Sequence, residues 1–288
     1  MDTILTQRKV TRSEALEANI AVHGRLAEMG EYNKSPHFLP ENQAKVRGLL
    51  QELVASLTTS SNIRLLDFGC GTGFIIHLAH NLVDAIDGID ITQAMLDKVD
   101  TSLGNITLTL GEAEHTPYDE NTFDLATAYS FMDHLYDYRL FLAEAYRVLK
   151  PGGILYVDLN PNRAFIEGLA VLVERGSQID STHVLKEIKG ALHNADVYDE
   201  TFGIDGQTLT NAEPGKSFDR GFDGDEVVAE AKRIGFSSFE VHHDWFFSEG
   251  VVLHQQSDEH AAIVDGYLRM LLPHTSMFYK YLRFVGRK

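Results

Sequence analysis

Three glycines alternate with other residues in Gly69-Cys70-Gly71-Thr72-Gly73, directly after an apolar run at 63–68 and directly before a stretch with helical signals. Glycine permits positive φ and lets a backbone approach a ligand closely. The first amides of the following helix have no intrahelical partner and suit a carboxylate or phosphate. A strand, a glycine turn and a helix start in that order make a site for a nucleotide-like ligand. The register narrows the choice: a dinucleotide G-x-G-x-x-G would need glycine where Phe74 stands, and no G-x-x-x-x-G-K-[ST] loop is present, so pyrophosphate binding is disfavoured.

Two carboxylates and a thiol belong to the same neighbourhood. Asp90, in GIDIT with Ile91 beside it, closes a second apolar run, where a carboxylate can accept hydrogen bonds from both hydroxyls of a ribose; an acid placed near a helix start is the alternative. Asp67, near the end of the first run, either receives loop amides or faces a positively charged part of the ligand. Cys70 is the single cysteine, which excludes an intrachain disulfide, and it reads as a small buried side chain rather than a reactive thiol.

The elements that must position these residues alternate regularly. Strand signals at 63–68, 85–91, 106–110, 123–128 and 154–159 are separated by helical stretches, one of them starting behind Thr92 as a cap and one spanning 138–149. Repeated βα units of this length imply an α/β fold, with a mainly parallel sheet covered on both faces and the strands' C-terminal ends gathered on one rim. Upstream, 13–30 is helix-compatible with sparse apolar positions at Leu16, Ile20 and Met29, and 42–57 is a stronger amphipathic helix carrying Val46, Leu49, Leu50, Leu53, Val54 and Leu57. Downstream, 164–175 looks helical, but 190–218 shows no firm period. Regularity returns with a helix at 223–234, a strand-like segment at 236–247, a helix at 261–272 and a final strand at 277–285, the last two strands suggesting an antiparallel edge. The resulting division is an N-terminal helical cap at 1–60, a ligand-binding core at 61–160, an insertion or substrate lid at 161–220, and a C-terminal part of the same α/β unit at 221–288.

The core matches a known pattern at four places: LLDFGCGTG at 65–73, Asp90, GEAEHTPYDENTFDLA at 111–126 and AEAYRVLKPGGILYV at 143–157. Together they resemble the class I S-adenosylmethionine-dependent methyltransferases, particularly the small-molecule group that includes ubiquinone and menaquinone biosynthesis methyltransferases. The resemblance implies a Rossmann-like, seven-stranded fold. It implies S-adenosyl-L-methionine as cofactor and S-adenosyl-L-homocysteine as product, held by Asp67, Gly69, Cys70, Gly71 and Gly73, by Asp90 and Ile91 at the ribose, and by Glu112 and Ala113 at the adenine. Glu112 stands where the family has Asp, a departure that shifts the carboxylate outward.

Ser130, Phe131, Met132, Asp133 and His134 follow the fourth strand, near the sulfonium end that the resemblance implies, with Ser130 as a further cofactor-binding candidate and Phe131 or Met132 as candidates to line the adenosine pocket. His134 is the candidate catalytic residue, for orienting or deprotonating an acceptor, with local structure as the alternative. Asn160 either bonds an acceptor or caps the turn at Pro161. His193, Asp196 and Tyr198 in the insertion, with Tyr32 and His37 upstream, read more readily as surface residues. Adjacent His242 and His243 should face opposite sides of a strand, and His77 and His80 lack carboxylate partners, so no metal site is expected.

The 288 residues carry 25 Lys and Arg against 42 Asp and Glu, a formal charge of −17. That field disfavours a nucleic-acid partner. FYKYLRF at the C-terminus, with Lys280 and Arg283, reads as a strand with outward charges. No apolar block is long enough for a signal peptide or a membrane span, which places the chain in the cytoplasm by elimination. Methyl transfer to a small, partly apolar metabolite is the leading function. Methylation of RNA or protein, and a non-catalytic, S-adenosylmethionine-binding regulatory role, are the alternatives; the oligomeric state is open.

Overall fold

Leu65, Leu66, Phe68, Leu125 and Ala126 have no solvent exposure, which requires their strands to be covered on both faces. In the computed structural model, residues 10–30, 38–57, 61–174 and 195–288 are described. The elements are α1 (Arg12–Met29), α2 (Pro40–Ala55), β1 (Arg64–Phe68), α3 (Phe74–Ala79), β2 (Ala85–Asp90), α4 (Gln93–Leu96), β3 (Ile106–Leu110) and β4 (Phe123–Tyr129). There follow α5 (Tyr138–Val148), β5 (Leu149–Pro161), α6 (Arg163–Glu174), α7 (Ala195–Phe202), α8 (Gly206–Ala212) and α9 (Pro214–Ser217). The chain ends with α10 (Gly224–Ile234), β6 (Ser238–Phe246), α11 (Glu249–Gln255), α12 (Asp258–Met270) and β7 (Tyr279–Arg287).

One seven-stranded sheet runs in the order β3-β2-β1-β4-β5-β7-β6. Its first five strands are parallel, and β7 lies antiparallel to both β5 and β6. Strand order reverses between β1 and β4, which opens a crevice at their C-terminal ends.

Side-chain alternation along β1 divides the core. Leu66 and Phe68 join a cluster with Phe141, Leu142, Ala145 and Val148 of α5 and Val227 and Ala231 of α10. Leu65 points the other way, toward Val46 and Leu50 of α2 and Ile75 and Ile76 of α3. Fully buried leucines such as Leu50 contribute roughly 1.5–3 kcal/mol each. Asp137 starts α5 by accepting the Arg139 amide at 3.1 Å, fixing where the chain after β4 turns back.

Four local readings are corrected or sharpened. Helix α1 leaves the apolar Ile20 and Met29 exposed and buries Ala15, Ala18, Asn19, Val22 and Ala27, with Ala18 and Val22 packing on Leu209 and Ala212 of α8. Residues 195–217 form three helices of 8, 7 and 4 residues, too short for a period to show in the sequence. The start of α4 has no side-chain cap from Thr92. Strand β7 lies inside the sheet, so Arg283 turns inward to Asp158 and Asp244, at 3.8 and 3.3 Å, instead of outward. Among the described residues no helix is long and apolar enough to cross a membrane.

Candidate active site

At the C-terminal ends of β1 to β4 lies a cavity of about 500 Å3. Asp67, Gly69, Cys70 and Gly71 enter it from β1 and its loop, and Asp90 and Ile91 from β2. Glu112 and Ala113 line it after β3, Ser130 and His134 after β4. Every residue singled out as a cofactor or catalytic candidate is therefore at one cavity except Gly73, which does not line it. Helices α1, α7 and α8 form a roof through Leu16, Asn19, His23, Tyr198 and Leu209.

The three glycines serve different ends. Gly69 has φ +60°, and a Cβ there would lie 2.1 Å from the Phe131 ring, so the close approach it permits is to a side chain. Gly71 has φ +53° and would place a Cβ no closer than 4.0 Å to its neighbours, which leaves its face open. Gly73, at φ +88°, starts α3, and a Cβ would approach Val99 at 3.1 Å. Gly73 thus shapes the turn and the packing behind it. Ser130 also adopts positive φ, +50°, a costly conformation for a non-glycine residue and one that concentrates at functional rims.

Asp90 ties the two loops together, accepting the Gly71 amide at 2.9 Å on Oδ2 and the Thr92 amide at 2.8 Å on Oδ1. The Thr92 side chain bonds the carboxylate as well, and of its roughly four lone-pair sites at least one stays open to a ligand hydroxyl. Burial pushes its pKa above the usual carboxylate range, while the amides of Gly71 and Thr92 hold it down. Asp67 is more strongly affected: burial, opposed by a hydrogen bond from Thr127 and reinforced by Asp90, pushes it up to about 7. Cys70 is buried and its thiol is pushed up by burial, consistent with a neutral packing role.

His134 sits where rim and roof meet. Its Nδ1 lies 3.2 Å from the Ala212 carbonyl oxygen and 3.4 Å from His23 Nε2, and the carbonyl contact calls for a proton on Nδ1. The other ring nitrogen, Nε2, lies 4.0 Å from Asp133 Oδ1. That Asp133 oxygen is buried and has no hydrogen-bond partner, and burial pushes the Asp133 carboxyl up. From α1, Asn19 donates to the His134 and Ala212 carbonyls at 3.1 and 2.8 Å, and His23 meets His134 edge-on with ring centroids 4.7 Å apart. Burial pushes His23 down to about 3, so this ring is neutral.

Of the other candidates, Phe131 lines the cavity, whereas Met132 is in the core beneath it. Asn160 is fully buried, donates to the Leu282 carbonyl at 2.9 Å and does not reach the cavity; it ties β5 to β7. Tyr198, read from sequence as a surface residue, lines the cavity. Asp196 lies at the start of α7, while Tyr32, His37 and His193 lie outside the described residues. Sequence reasoning missed Arg12, Asn19 and His23 on α1, and the aromatic wall of Phe38, Phe74 and Tyr129, with ring centroids 5.2 and 4.8 Å apart. Phe74 directly follows the glycines and could have been found there; the α1 residues carry no motif.

Comparison with known proteins agrees with this geometry. Residues 66–157 match the family model described as a methyltransferase domain. A "probable S-adenosylmethionine-dependent methyltransferase" of Mycolicibacterium smegmatis is 28% identical over 99 residues, 34% of this chain and 38% of that protein. The demethylmenaquinone methyltransferase of Lactiplantibacillus plantarum is 35% identical over 114 residues, 36% of this chain and 48% of that one. The matched stretch thus spans half or less of the length of these two curated relatives. Among solved structures, the methyltransferase in complex with the Haloferax volcanii Trm112 methyltransferase activator superposes with a TM-score of 0.53 at 15% identity, over 92% of this chain and 96% of that chain. That likeness extends the shared fold beyond the matched domain. Residues 66–157 thus carry a methyltransferase domain, similar to that of S-adenosylmethionine-dependent methyltransferases.

Proposed function

We propose that this protein transfers a methyl group from S-adenosylmethionine to a small, partly apolar acceptor held under the roof of α1, α7 and α8. The observation that carries the reading is the single cavity that joins the glycine loop, Asp90 and Glu112 to roof residues of the opposite character, Leu16, Val22, Leu26, Phe202 and Leu209. Its size, about 500 Å3, is within the roughly 300–1,000 Å3 of small-molecule sites.

The residues present fit the cofactor. Gly71 leaves open space over its Cα, Asp90 has acceptor capacity left for a ribose hydroxyl, and Glu112 and Ala113 line the cavity after β3, where the family resemblance puts the adenine. Bound there, the cofactor supplies a methyl group on a sulfonium whose positive charge disappears on transfer. The chain's own part is mostly orientation: Phe131 and Phe74 wall the cavity, α1, α7 and α8 cover it, and Asp67 offers a carboxyl that can ionise beside a cation. His134 is the residue placed to orient an acceptor or take its proton, with Nδ1 held on the Ala212 carbonyl.

Among the described residues Arg12 is the single Lys or Arg lining the cavity, and it is engaged by Glu112 and Glu114. A polyanionic acceptor such as RNA would find no basic lining, which favours an uncharged small acceptor. The small-molecule methyltransferases among the curated relatives point the same way. The test supplies methyl-labelled S-adenosylmethionine to the chain with a cell extract split into small molecules and macromolecules. Label should enter the small-molecule fraction. Label in RNA or protein alone would overturn the acceptor class.

A further inference from the structure

Glu112 departs from the shorter Asp of its family, and the structure shows what meets the longer side chain. Arg12, the first residue of α1, places Nη2 2.5 Å from Glu112 Oε2 and 2.6 Å from Glu114 Oε2, with Nε 3.0 Å from the latter. The guanidinium is delivered by a well-fixed helix start: the Glu14 amide donates to Thr11 Oγ1 at 3.3 Å, and the Thr11 amide donates to the Glu14 carboxylate at 2.7 Å. Further along, Asn19 pins the same helix to the carbonyls of His134 and Ala212. Glu114 is held from its other side, accepting the Asp137 amide at 3.2 Å on Oε1.

The three side chains differ in surroundings. Arg12 and Glu112 are 48% and 38% exposed, whereas Glu114 is 7% exposed. An ion pair as open as Arg12–Glu112 contributes little to stability. Its consequence is geometric. Glu112 Oε2 is held on the guanidinium at the cavity that Glu112 lines beside Ala113, a contact that leaves Oε1 out. A glutamate without that anchor has one more rotatable bond than an aspartate and would lose rotamer freedom on meeting a ligand.

We propose that Arg12 is a positioning residue for cofactor specificity: it holds Glu112 so that the free carboxylate oxygen accepts a hydrogen bond from the exocyclic amino group of the adenine. This rests on the reading of the cavity as the S-adenosylmethionine site with the adenine at Glu112 and Ala113. It makes the N-terminal helix, which lies outside the matched domain, part of the cofactor site. It also explains how a longer acid serves where the family has a shorter one.

The experiment is calorimetric titration of the full chain with S-adenosylhomocysteine and with S-inosylhomocysteine, in which a 6-oxo group replaces the amino donor. Wild type should prefer the adenine compound by roughly 10- to 100-fold, the range for a hydrogen bond to a charged group. Arg12→Met should reduce that preference to about threefold or less, and should also lower the melting temperature, because the buried Glu114 side chain then keeps, among the described residues, only the Asp137 amide. Arg12→Lys, a point charge without the guanidinium fork, should fall between. Combining Arg12→Met with Glu112→Asp should restore much of the preference, because the shorter acid needs no anchor. Such non-additivity identifies positioning, which loss of a structural contact alone would not produce.

Wild-type preference retained in Arg12→Met would overturn the role of Arg12 and leave the adenine assignment standing. Equal wild-type affinity for both compounds would remove the adenine assignment and the proposal with it. Failure of the wild type to bind S-adenosylhomocysteine would overturn the cofactor reading of the cavity.

Discussion

Thr127 Oγ1 donates a hydrogen bond to Asp67 Oδ1 at 2.7 Å, joining β4 to the C-terminal end of β1 at the cavity. This neutral donor is the partner of a carboxyl that burial pushes up to about 7. The ionised form is therefore stabilised less than in water until a cation arrives. That cation is the role assigned to the cofactor's positive charge.

The first prediction follows from the sign of that shift. A carboxyl whose folded pKa lies above its unfolded value of about 3.9 keeps its proton in the fold, so the cofactor-free protein loses stability as pH rises from about 4 to about 7. Cofactor binding favours the ionised form. Affinity for S-adenosylmethionine should therefore rise between pH 6 and 8 and level off above the pKa, with proton release measurable by calorimetry in two buffers. The raised pKa of Asp90 acts in the same direction. Thr127→Val should move the rise to higher pH; a profile identical to wild type would argue against Asp67 as its source.

His134→Ala should lower turnover by about 10- to 100-fold, at or below the modest end of acid–base effects, while changing S-adenosylhomocysteine affinity by less than about threefold. The ring's place at the cavity, with Nδ1 on the Ala212 carbonyl, motivates this split. Turnover equal to wild type on the authentic acceptor would remove His134 from the mechanism. An equal loss in both quantities would make it a cofactor-site residue instead.

Glu144 provides a stability test away from the cavity. Its carboxylate accepts from the Thr116 amide and hydroxyl and from Arg147 Nε and Nη2, the Arg147 contacts at 2.8 and 2.7 Å. Burial pushes its pKa up, but the Arg147 and Thr116 hydrogen bonds outweigh it and hold the group below its ordinary range. Glu144→Ala should cost about 2 kcal/mol in a denaturant titration, since Thr116 loses its buried partner while the partly exposed Arg147 can turn to water. The difference from wild type should shrink as pH falls through the carboxylate range, because wild type then loses the same interaction. A difference that stays constant with pH would assign the loss to packing.

Much of the sheet was legible because parallel strands are apolar runs separated by helical periods, and Asp67, Asp90 and Glu112 stand at fixed places along those runs. What escaped was anything set by contacts distant in sequence. Arg12 reaches Glu112 across 100 residues, and Asn19 reaches Ala212 across 193. Helix α1 hides its buried face largely as alanines, while the apolar Ile20 and Met29 that stand out in its sequence face water. Arg283 looked like an outward charge because the sequence cannot say that β7 is hydrogen-bonded on both sides, with Asp158 and Asp244 waiting there.

Asp90 carries the most direct test, since one carboxylate both joins the Gly71 and Thr92 loops and is assigned to the ribose. Titration of S-adenosylhomocysteine into wild type and Asp90→Ala should give saturable one-to-one binding in the first and a loss of about 100-fold in the second, the effect of removing hydrogen bonds to a charged group. Unchanged affinity in Asp90→Ala, or no binding by the wild type, would contradict the assignment of this cavity to the methyl donor.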